Sequence, residues 1–291
     1  MSTASEGPGS AVEIGPAWED PRKALARHGL APKRSFSQNF LVSRHVVEGI
    51  ARAVAPAAGE TVVELGPGLG TLTAALLRAG AKVLAFERDR DMIAVLRADL
   101  GAYPHLEVRE GDAATVALGE LATERRIALA GNLPYAVTGG ILRNLCDQAE
   151  HVSRAVVMVQ KEVRDRLLAA PGTAEYGALT VFIQARFDVR SVLRVPAGSF
   201  HPPPKVESAV VCLAPHAVPR ADETEAFRQV VRGAFQARRK TLRNALVQVF
   251  GAAHATASLD AAGIDGARRG ETLSVEEFSR LALAAERPTG T

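Results

Sequence analysis

The sequence predicts an α/β protein in which a mostly parallel sheet is followed by a small all-helical domain at the C-terminus. Short apolar runs of strand character alternate with helical runs through most of the chain. Such alternation is typical of parallel sheets that are covered by helices on both faces. Strand character disappears after Pro215, and residues 222–287 keep only helical spacing. We therefore expect a domain boundary near residue 217.

The composition is that of a mildly basic globular protein. The chain has 291 residues, 47% of them hydrophobic, which is enough for one substantial domain and a smaller one. Its 35 Lys and Arg against 32 Asp and Glu give a net charge of only +3. The placement of the charges must therefore decide whether nucleic acid is a partner. Cys146 and Cys212 stand far apart and outside any Cys/His cluster, so we expect reduced thiols and no metal.

No membrane span or secretory leader is apparent in the sequence. No apolar run reaches the roughly 18 residues that suggest a span, and the N-terminus lacks a basic segment followed by an apolar one. We therefore expect a cytoplasmic protein with no membrane partner, and a monomer. Residues 1–20 are rich in Gly, Pro, Ser and acidic residues, which predicts a flexible tail ahead of domains at 21–217 and 218–291.

The first predicted elements surround a glycine-rich turn. A helical pattern runs from Ser43 and stops at Pro56, and a short buried strand follows over 61–65. Gly66–Gly70 then forms the turn, and a helix over 71–78 is closed by Gly80.

The alternation of strand and helix then continues. A second strand covers 82–86, and the next helix begins at its N-cap, Asp89. Further short strands are predicted over 106–109, 127–130 and 155–159.

Two later stretches, 178–187 and 206–213, also have strand character. We predict that they close the sheet as antiparallel edge strands, separated by the proline-rich loop 199–205.

The segment Glu64–Gly70 has the context of a nucleotide-binding glycine loop, because it follows a strand and opens a helix. An NAD enzyme would use a similar loop, with Glu87 at the end of the next strand accepting the ribose hydroxyls. However, the spacing is Gly-x-Gly-x-Gly, with Thr71 where a dinucleotide site has its third glycine. Glu64 and Asp112 add carboxylates at strand ends, and these suit a sulfonium cofactor better than a pyrophosphate. S-adenosylmethionine is the favoured cofactor.

The segment Asn132-Leu133-Pro134-Tyr135 follows an apolar strand at the edge where open α/β folds bind ligands. An aryl amine is a poor nucleophile, and it improves when two acceptors take its N–H bonds. The side chain of Asn132 supplies one acceptor, and the backbone carbonyl of Leu133 or Pro134 supplies the other. Tyr135 offers a face on which a flipped base can stack. These four residues predict methyl transfer to an exocyclic amine of adenine.

Several motifs together resemble the KsgA/RsmA family, the small-subunit (16S) ribosomal RNA adenine N6,N6-dimethyltransferases. The resemblance runs from Arg34 to Leu283. Besides the glycine loop and Asn132–Tyr135, it is carried by Ser37-Gln38-Asn39-Phe40-Leu41, Glu162-Val163-Arg164, Pro171–Gly177, Phe200–Ser208 and Arg238–Asn244.

The resemblance implies a Rossmann-like class I methyltransferase sheet followed by the helical domain. It also implies two methyl groups on each of two adjacent adenines near the 3′ end of the RNA, within an immature 30S subunit. The resemblance implies six cofactor contacts, which are Asn39, Leu41, Gly66, Glu87, Asp112 and Asn132. Gly68 is added to them as a residue of the glycine loop.

One segment departs from the family. The tyrosine is usually followed by Asn-Ile-Ser or Asn-Ile-Thr and then Pro, whereas this chain has Ala136-Val137-Thr138-Gly139-Gly140. Two glycines in place of the proline predict a looser start to the next helix, and a change in substrate positioning or in the extent of dimethylation.

The candidate RNA-binding residues are basic, with one aromatic. In the C-terminal part, basic residues beginning with Arg228 and Arg232 recur near helical spacing. If the helix is continuous, this spacing predicts a stripe that binds phosphate. The alternative is an ordinary solvated face of the helix. The predicted contacts are Lys33, Arg34, Phe200, Arg238, Arg239, Lys240 and Arg243. Two other functions stay open: a large-subunit RNA adenine methyltransferase, and a small-subunit assembly factor with weakened catalysis.

Overall fold

A seven-stranded sheet forms the centre of the computed structural model, which describes residues 15–33, 38–122, 125–237 and 239–286. The strands are β1 (Phe40–Leu41), β2 (Thr61–Leu65), β3 (Lys82–Glu87), β4 (Leu106–Glu110), β5 (Ile127–Asn132), β6 (Val152–Gln160), β7 (Phe187–Val195), β8 (Phe200–His201) and β9 (Ser208–Pro215). The seven strands of the central sheet lie in the order β4-β3-β2-β5-β6-β9-β7, and β1 and β8 form a separate two-stranded sheet. In this sheet β9 runs in the opposite direction to the other six strands, which all point the same way. The predicted α/β class is therefore confirmed.

Helices cover both faces of this sheet. The helices of the described residues are α1 (Pro21–His28), α2 (Arg44–Val54), α3 (Thr71–Arg78), α4 (Arg90–Leu100), α5 (Leu118–Leu121), α6 (Thr138–Asp147), α7 (Lys161–Leu167), α8 (Ala178–Arg186), α9 (Glu225–Gln236), α10 (Leu242–Phe250), α11 (Ala252–Ala262) and α12 (Val275–Glu286). In β2, Val62 packs with α2 and α3, and Val63 packs into the opposite cluster with α6. None of the helices in the described ranges is long and apolar enough to cross a bilayer.

The strand order places a crevice between β2 and β5. From β2 the chain moves outward through β3 and β4, and it returns to pair β5 with the other side of β2. The strands of an open α/β sheet bind ligands at their carboxyl ends where the order reverses in this way. The glycine loop after β2 and the residues after β5 therefore share one edge.

One predicted strand is wrong. Residues 178–186 form helix α8, and the edge strand is β7, which follows it. The stretch is rich in β-branched and aromatic residues, but Val181, Phe182 and Ile183 are all buried as consecutive residues. A helix packed on several sides gives the same short apolar run as a strand, so periodicity did not separate the two. The other predicted strand is confirmed as β9, which lies inside the sheet and not at its edge.

The C-terminal helices pack against the sheet domain through α6 and α8. The ring of Phe182 in α8 meets the edge of Phe227 in α9, with the two centroids 6.0 Å apart. Arg143 of α6 forms an ion pair with Glu223, just before α9. The described chain thus changes from strand to helix between residues 215 and 225. The domain division at 217 stays a prediction.

Most of the predicted tail lies outside the described residues, which begin at 15. Of the part that is described, the Pro16 carbonyl accepts a hydrogen bond of 2.6 Å from Arg78 of α3. Asp20 caps α1 by accepting from the backbone N–H of Arg22.

Candidate active site

One cleft opens at the carboxyl ends of β2 to β5. It is lined by every residue that the sequence predicted for catalysis or cofactor binding, namely Asn39, Leu41, Gly66, Gly68, Glu87, Asp112, Asn132, Leu133, Pro134 and Tyr135. Segments far apart in the sequence meet here because parallel strands end at the same edge. The individual roles of these residues stay predictions.

The glycine loop approaches the N-terminal segment closely. Gly68 has a φ of +57°, and a Cβ atom at this position would lie 3.2 Å from the ring of Phe40. A side chain would therefore be strained by the backbone and crowded by the ring. The loop presents backbone to the cleft because glycine allows both the turn and the contact.

Glu87 ends β3, and its carboxyl group links the glycine loop to the start of α4 through hydrogen bonds. Its Oε2 accepts from the Gly68 N–H at 3.0 Å, and its Oε1 accepts from the N–H groups of Arg88 and Asp89 at 2.8 Å each. Burial raises the pKa of Glu87, although these three donors oppose the shift. A carboxylate has about four acceptor positions, so one remains for a ribose hydroxyl.

Asp112 lies at the end of the neighbouring strand β4. One of its oxygens accepts from the Ala114 N–H at 2.9 Å and so caps the turn that follows. The other oxygen is 3.5 Å from Nη1 of Arg88. This carboxylate is 38% exposed, and it faces the cleft as the predicted acceptor for the cofactor.

The amide of Asn132 has a defined orientation. Its Nδ2 donates to the backbone carbonyl of Asn39 over 3.1 Å. Because the nitrogen is used in this way, Oδ1 is the end of the amide left to accept a hydrogen bond in the cleft. The position immediately before Asn132 is glycine because a Cβ there would lie 2.6 Å from the carbonyl oxygen of Leu65.

The backbone after Asn132 distinguishes the two candidate carbonyls. The Pro134 carbonyl already accepts from the Val137 N–H at 3.1 Å and from the Thr138 hydroxyl at 3.0 Å. The Leu133 N–H is held by the Met158 carbonyl in β6. We therefore favour the Leu133 carbonyl as the second acceptor.

Tyr135 is half-buried beside the cleft, and its hydroxyl is anchored. Its Oη lies 2.7 Å from Oγ of Ser208, the first residue of β9. Burial raises the pKa of Tyr135, so the phenol is neutral at physiological pH. The hydrogen bond holds the ring in the lining of the cleft, and its stacking role stays a prediction.

The segment after Tyr135 starts a helix in the expected place. Helix α6 begins at Thr138, and the Ile141 N–H donates to the Val137 carbonyl at 3.0 Å. Gly139 and Gly140 are both exposed in its first turn. The looser start predicted from these two glycines stays a prediction.

Lys33 is engaged within the protein. Its ammonium lies 2.7 Å from Oδ1 of Asp89 and 2.6 Å from Oδ2 of Asp91. Gln38 also donates to Asp89, over 2.7 Å. Lys33 and Gln38 are therefore both bound to the start of α4. The RNA contact predicted for Lys33 has to compete with this pairing.

Two predicted RNA contacts, Arg34 and Arg238, lie outside the described residues. A third requires correction: Phe200 is 3% exposed and packs in the core with Leu41 and Ile50. A ring buried to this extent does not stack on a base. Its place in β8, which pairs with β1, accounts for the burial.

The remaining basic residues lie where the helix is interrupted. Arg239 and Lys240 fall between α9 and α10, and Arg243 lies in the first turn of α10. All three are exposed. The continuous helical stripe is wrong, because α9 ends at Gln236.

Two residues of the site were not predicted from the sequence. Ser208 holds Tyr135, and Thr73 of α3 donates its hydroxyl to Glu64 over 2.6 Å. Thr73 is fully buried on the helix face that it shares with Leu76 and Leu77. A polar residue in an apolar stripe was the available signal for Thr73, whereas nothing in the local pattern distinguished Ser208.

The cleft fits S-adenosylmethionine better than a phosphorylated cofactor. Glu64, Glu87 and Asp112 all line it, and a lining of acidic side chains, with no basic partner for Glu64 among the described residues, does not suit a pyrophosphate. They suit a cofactor with a sulfonium charge, a ribose and an exocyclic amine. The fold and the cleft together define a class I S-adenosylmethionine-dependent methyltransferase.

The chain belongs to the ribosomal RNA adenine dimethylase family, whose profile matches residues 29–286. It is 48% identical over 272 residues to the ribosomal RNA small subunit methyltransferase A of Myxococcus xanthus, covering 91% of this chain and 95% of that one. The protein of the same name from Anaeromyxobacter sp. (strain K) is 46% identical over 278 residues, with 91% and 97% covered.

Solved structures agree with this assignment. A dimethyladenosine transferase from Plasmodium falciparum has a TM-score of 0.71 at 26% identity, covering 83% of this chain and 95% of that chain. The 23S rRNA methyltransferase ErmE has a TM-score of 0.63 at 28% identity, covering 86% and 100%.

Proposed function

We propose that this chain transfers methyl groups from S-adenosylmethionine to N6 of two adjacent adenines near the 3′ end of small-subunit ribosomal RNA. The observation that carries the chemistry is the orientation of Asn132, whose Nδ2 is held by Asn39 and whose Oδ1 is left for the substrate. The substrate class follows from the family and from relatives that are 48% and 46% identical and are named for the small subunit.

The reacting nitrogen is prepared by two acceptors. Oδ1 of Asn132 and the carbonyl of Leu133 accept the two N6–H bonds, which favours a tetrahedral nitrogen with an available lone pair. When bound, S-adenosylmethionine supplies an electrophilic methyl group on a positively charged sulfur. Tyr135 stacks on the flipped base, with its ring fixed by the hydrogen bond to Ser208. The chain thus acts mainly through positioning and electrostatics.

No side chain is needed as a general base. The methylated nitrogen is acidic while it is positively charged, so its proton passes to water. Asn132 and Leu133 can accept only one N–H at the second transfer, because the first methyl replaces the other. The second methyl therefore depends more on stacking by Tyr135 than the first.

We further propose that the protein acts as a cytoplasmic monomer on RNA within an immature 30S subunit and requires no metal. The exposed cations Arg239, Lys240 and Arg243 support an RNA contact beside the sheet domain.

The deciding experiment supplies labelled S-adenosylmethionine with unmethylated small subunits, and in parallel with large subunits. Label is expected as dimethyladenosine near the 3′ end of small-subunit RNA, and it should be lost in Asn132→Ala. A control variant, Gln248→Ala on the exposed side of α10, should keep the chemistry at N6. Label in large-subunit RNA, or binding to small subunits without label, would overturn the proposal in favour of a large-subunit enzyme or an assembly factor.

A further inference from the structure

One carboxyl group of the cleft is buried without a cation. Glu64 lies in β2 and is 1% exposed, yet its side chain lines the cleft. Oε2 accepts from the Thr73 hydroxyl at 2.6 Å. Among the described residues, the groups that act on its charge are Thr73 in α3 and Glu87 in β3. Neither carries a positive charge.

The surroundings of Glu64 favour its neutral form. Its register partners on the two adjacent strands, Ala85 in β3 and Ala130 in β5, carry no charge. Burial therefore raises the pKa of Glu64 to about 8; hydrogen bonds from Thr73 oppose the shift and the nearby charge of Glu87 adds to it. An ionised carboxyl with no partner is costly in such a place. In the free protein at pH 7, Glu64 mostly carries its proton.

We propose that Glu64 gives up this proton when the cofactor binds, and that the resulting carboxylate balances the positive charge of the cofactor. The inference rests on the proposed function, because S-adenosylmethionine is the cation that arrives. The O–H bond of Glu64 breaks, the electron pair stays on the carboxylate, and the proton passes to solvent. Glu64 is thus a positioning residue whose charge exists only in the complex.

A proton released on binding makes the affinity depend on pH. The cofactor prefers the ionised form of Glu64, so its binding lowers the pKa of this group. Affinity should therefore rise with pH, by up to about tenfold per unit, and level off above the pKa of the free protein. The rise is expected below about pH 8, the pKa of Glu64 in the free protein.

Isothermal titration calorimetry of the full chain with S-adenosylmethionine measures the released proton directly. Titrations at pH 7 in phosphate and in Tris differ in buffer ionisation heat, and the difference gives the number of protons. We expect between about half a proton and one proton per cofactor. Zero release with intact binding would overturn this inference alone. Absence of binding at every pH would overturn the proposed function as well.

Three variants assign the proton to Glu64. Glu64→Gln should bind the cofactor with no such release and a flat pH dependence. Thr73→Val removes a hydrogen-bond donor that favours the ionised form of Glu64, so the proton release in this variant should shift to higher pH. Glu107→Gln, on the exposed part of β4, should match the parent protein. Release that persists in Glu64→Gln would assign the proton to another group, such as Glu87, and overturn the inference.

Discussion

The side-chain nitrogen of Asn132 and the backbone carbonyl oxygen of Asn39 lie 3.1 Å apart, which joins the end of β5 to a residue ninety-three positions earlier. This contact decides which end of the Asn132 amide is left to accept a hydrogen bond in the cleft. It therefore gives a sharper test than truncation of the side chain.

Asn132→Asp keeps the shape of the side chain but removes the donor. A carboxylate oxygen would then face the Asn39 carbonyl oxygen. The Asp side chain would either rotate away from this carbonyl or become protonated. We expect kcat for methylation to fall by about 10²–10³, the usual cost of losing a catalytic hydrogen-bonding group. Single-turnover methylation of small subunits measures the effect, and thermal unfolding checks the fold. A loss smaller than tenfold would contradict the orientation argument.

Tyr135 should contribute through its ring more than through its hydroxyl. Tyr135→Ala removes stacking worth about 1–3 kcal/mol, so kcat/KM should fall about 10- to 100-fold. Tyr135→Phe keeps the ring and should cost only a few-fold. Ser208→Ala should match Tyr135→Phe, and the double variant should be no worse than either, because all three remove the same hydrogen bond. Additive losses would show that the two hydroxyls act separately.

Asp89 should hold the side chains of Lys33 and Gln38 at the start of α4. Burial pushes the pKa of Asp89 up, but hydrogen bonds from Lys33, the Asp91 N–H and Gln38 outweigh it, so the pKa is lowered. Asp89→Asn keeps an effective N-cap but loses the charge that faces Lys33. We expect faster tryptic cleavage after Lys33, whereas Asp91→Asn, at an exposed carboxylate, should change it little. Equal cleavage rates in Asp89→Asn and the parent would refute this role.

The same lowered pKa gives a second measurement for Asp89. The stabilisation is present above the ordinary pKa of an aspartate, near 3.8, and it is lost as pH falls through the lower value of the folded protein. The parent should therefore lose its stability advantage over Asp89→Asn in acid.

Glu64 should make the free protein less stable as pH rises. Its pKa is about 8 in the folded chain against 4.5 in the unfolded chain, so the folded state binds more protons between these values. The unfolding free energy should fall by up to about 1.4 kcal/mol per pH unit across this window, and Glu64→Gln should remove that slope. Denaturant unfolding at pH 5 and pH 8 compares the two proteins. Parallel stability curves would contradict the assignment.

The basic residues around the start of α10 should control how strongly the affinity for RNA depends on salt concentration. Replacing Arg239, Lys240 and Arg243 with Ala should lower the slope of log affinity against log salt by about 2, as expected for three single-strand phosphate contacts. Three exposed cations of the sheet domain, Lys82, Arg97 and Arg109, form the matched control. An unchanged slope would place the RNA elsewhere.

The sequence was sufficient for the parallel strands β2 to β6 and for most of the cleft, because glycine spacing and acids at strand ends are local signals. Asp89 was identifiable as an N-cap from its place before a helical run. Residues 178–186 were misread, since a short apolar run fits a strand and a buried helix equally well. The contact between Tyr135 and Ser208 joins distant segments and depends on the register of β9, which no local pattern specifies.

The pairing of β1 with β8 has a consequence for the order of folding. Phe40 faces His201 and Leu41 faces Phe200, and the carbonyl of Asn39 that holds Asn132 directly precedes this pair. We expect the amide of Asn132 to become oriented during synthesis only after His201 has been made and has paired with Phe40. We therefore expect a chain that stops short of β8 to contain the glycine loop but to lack an oriented Asn132 amide.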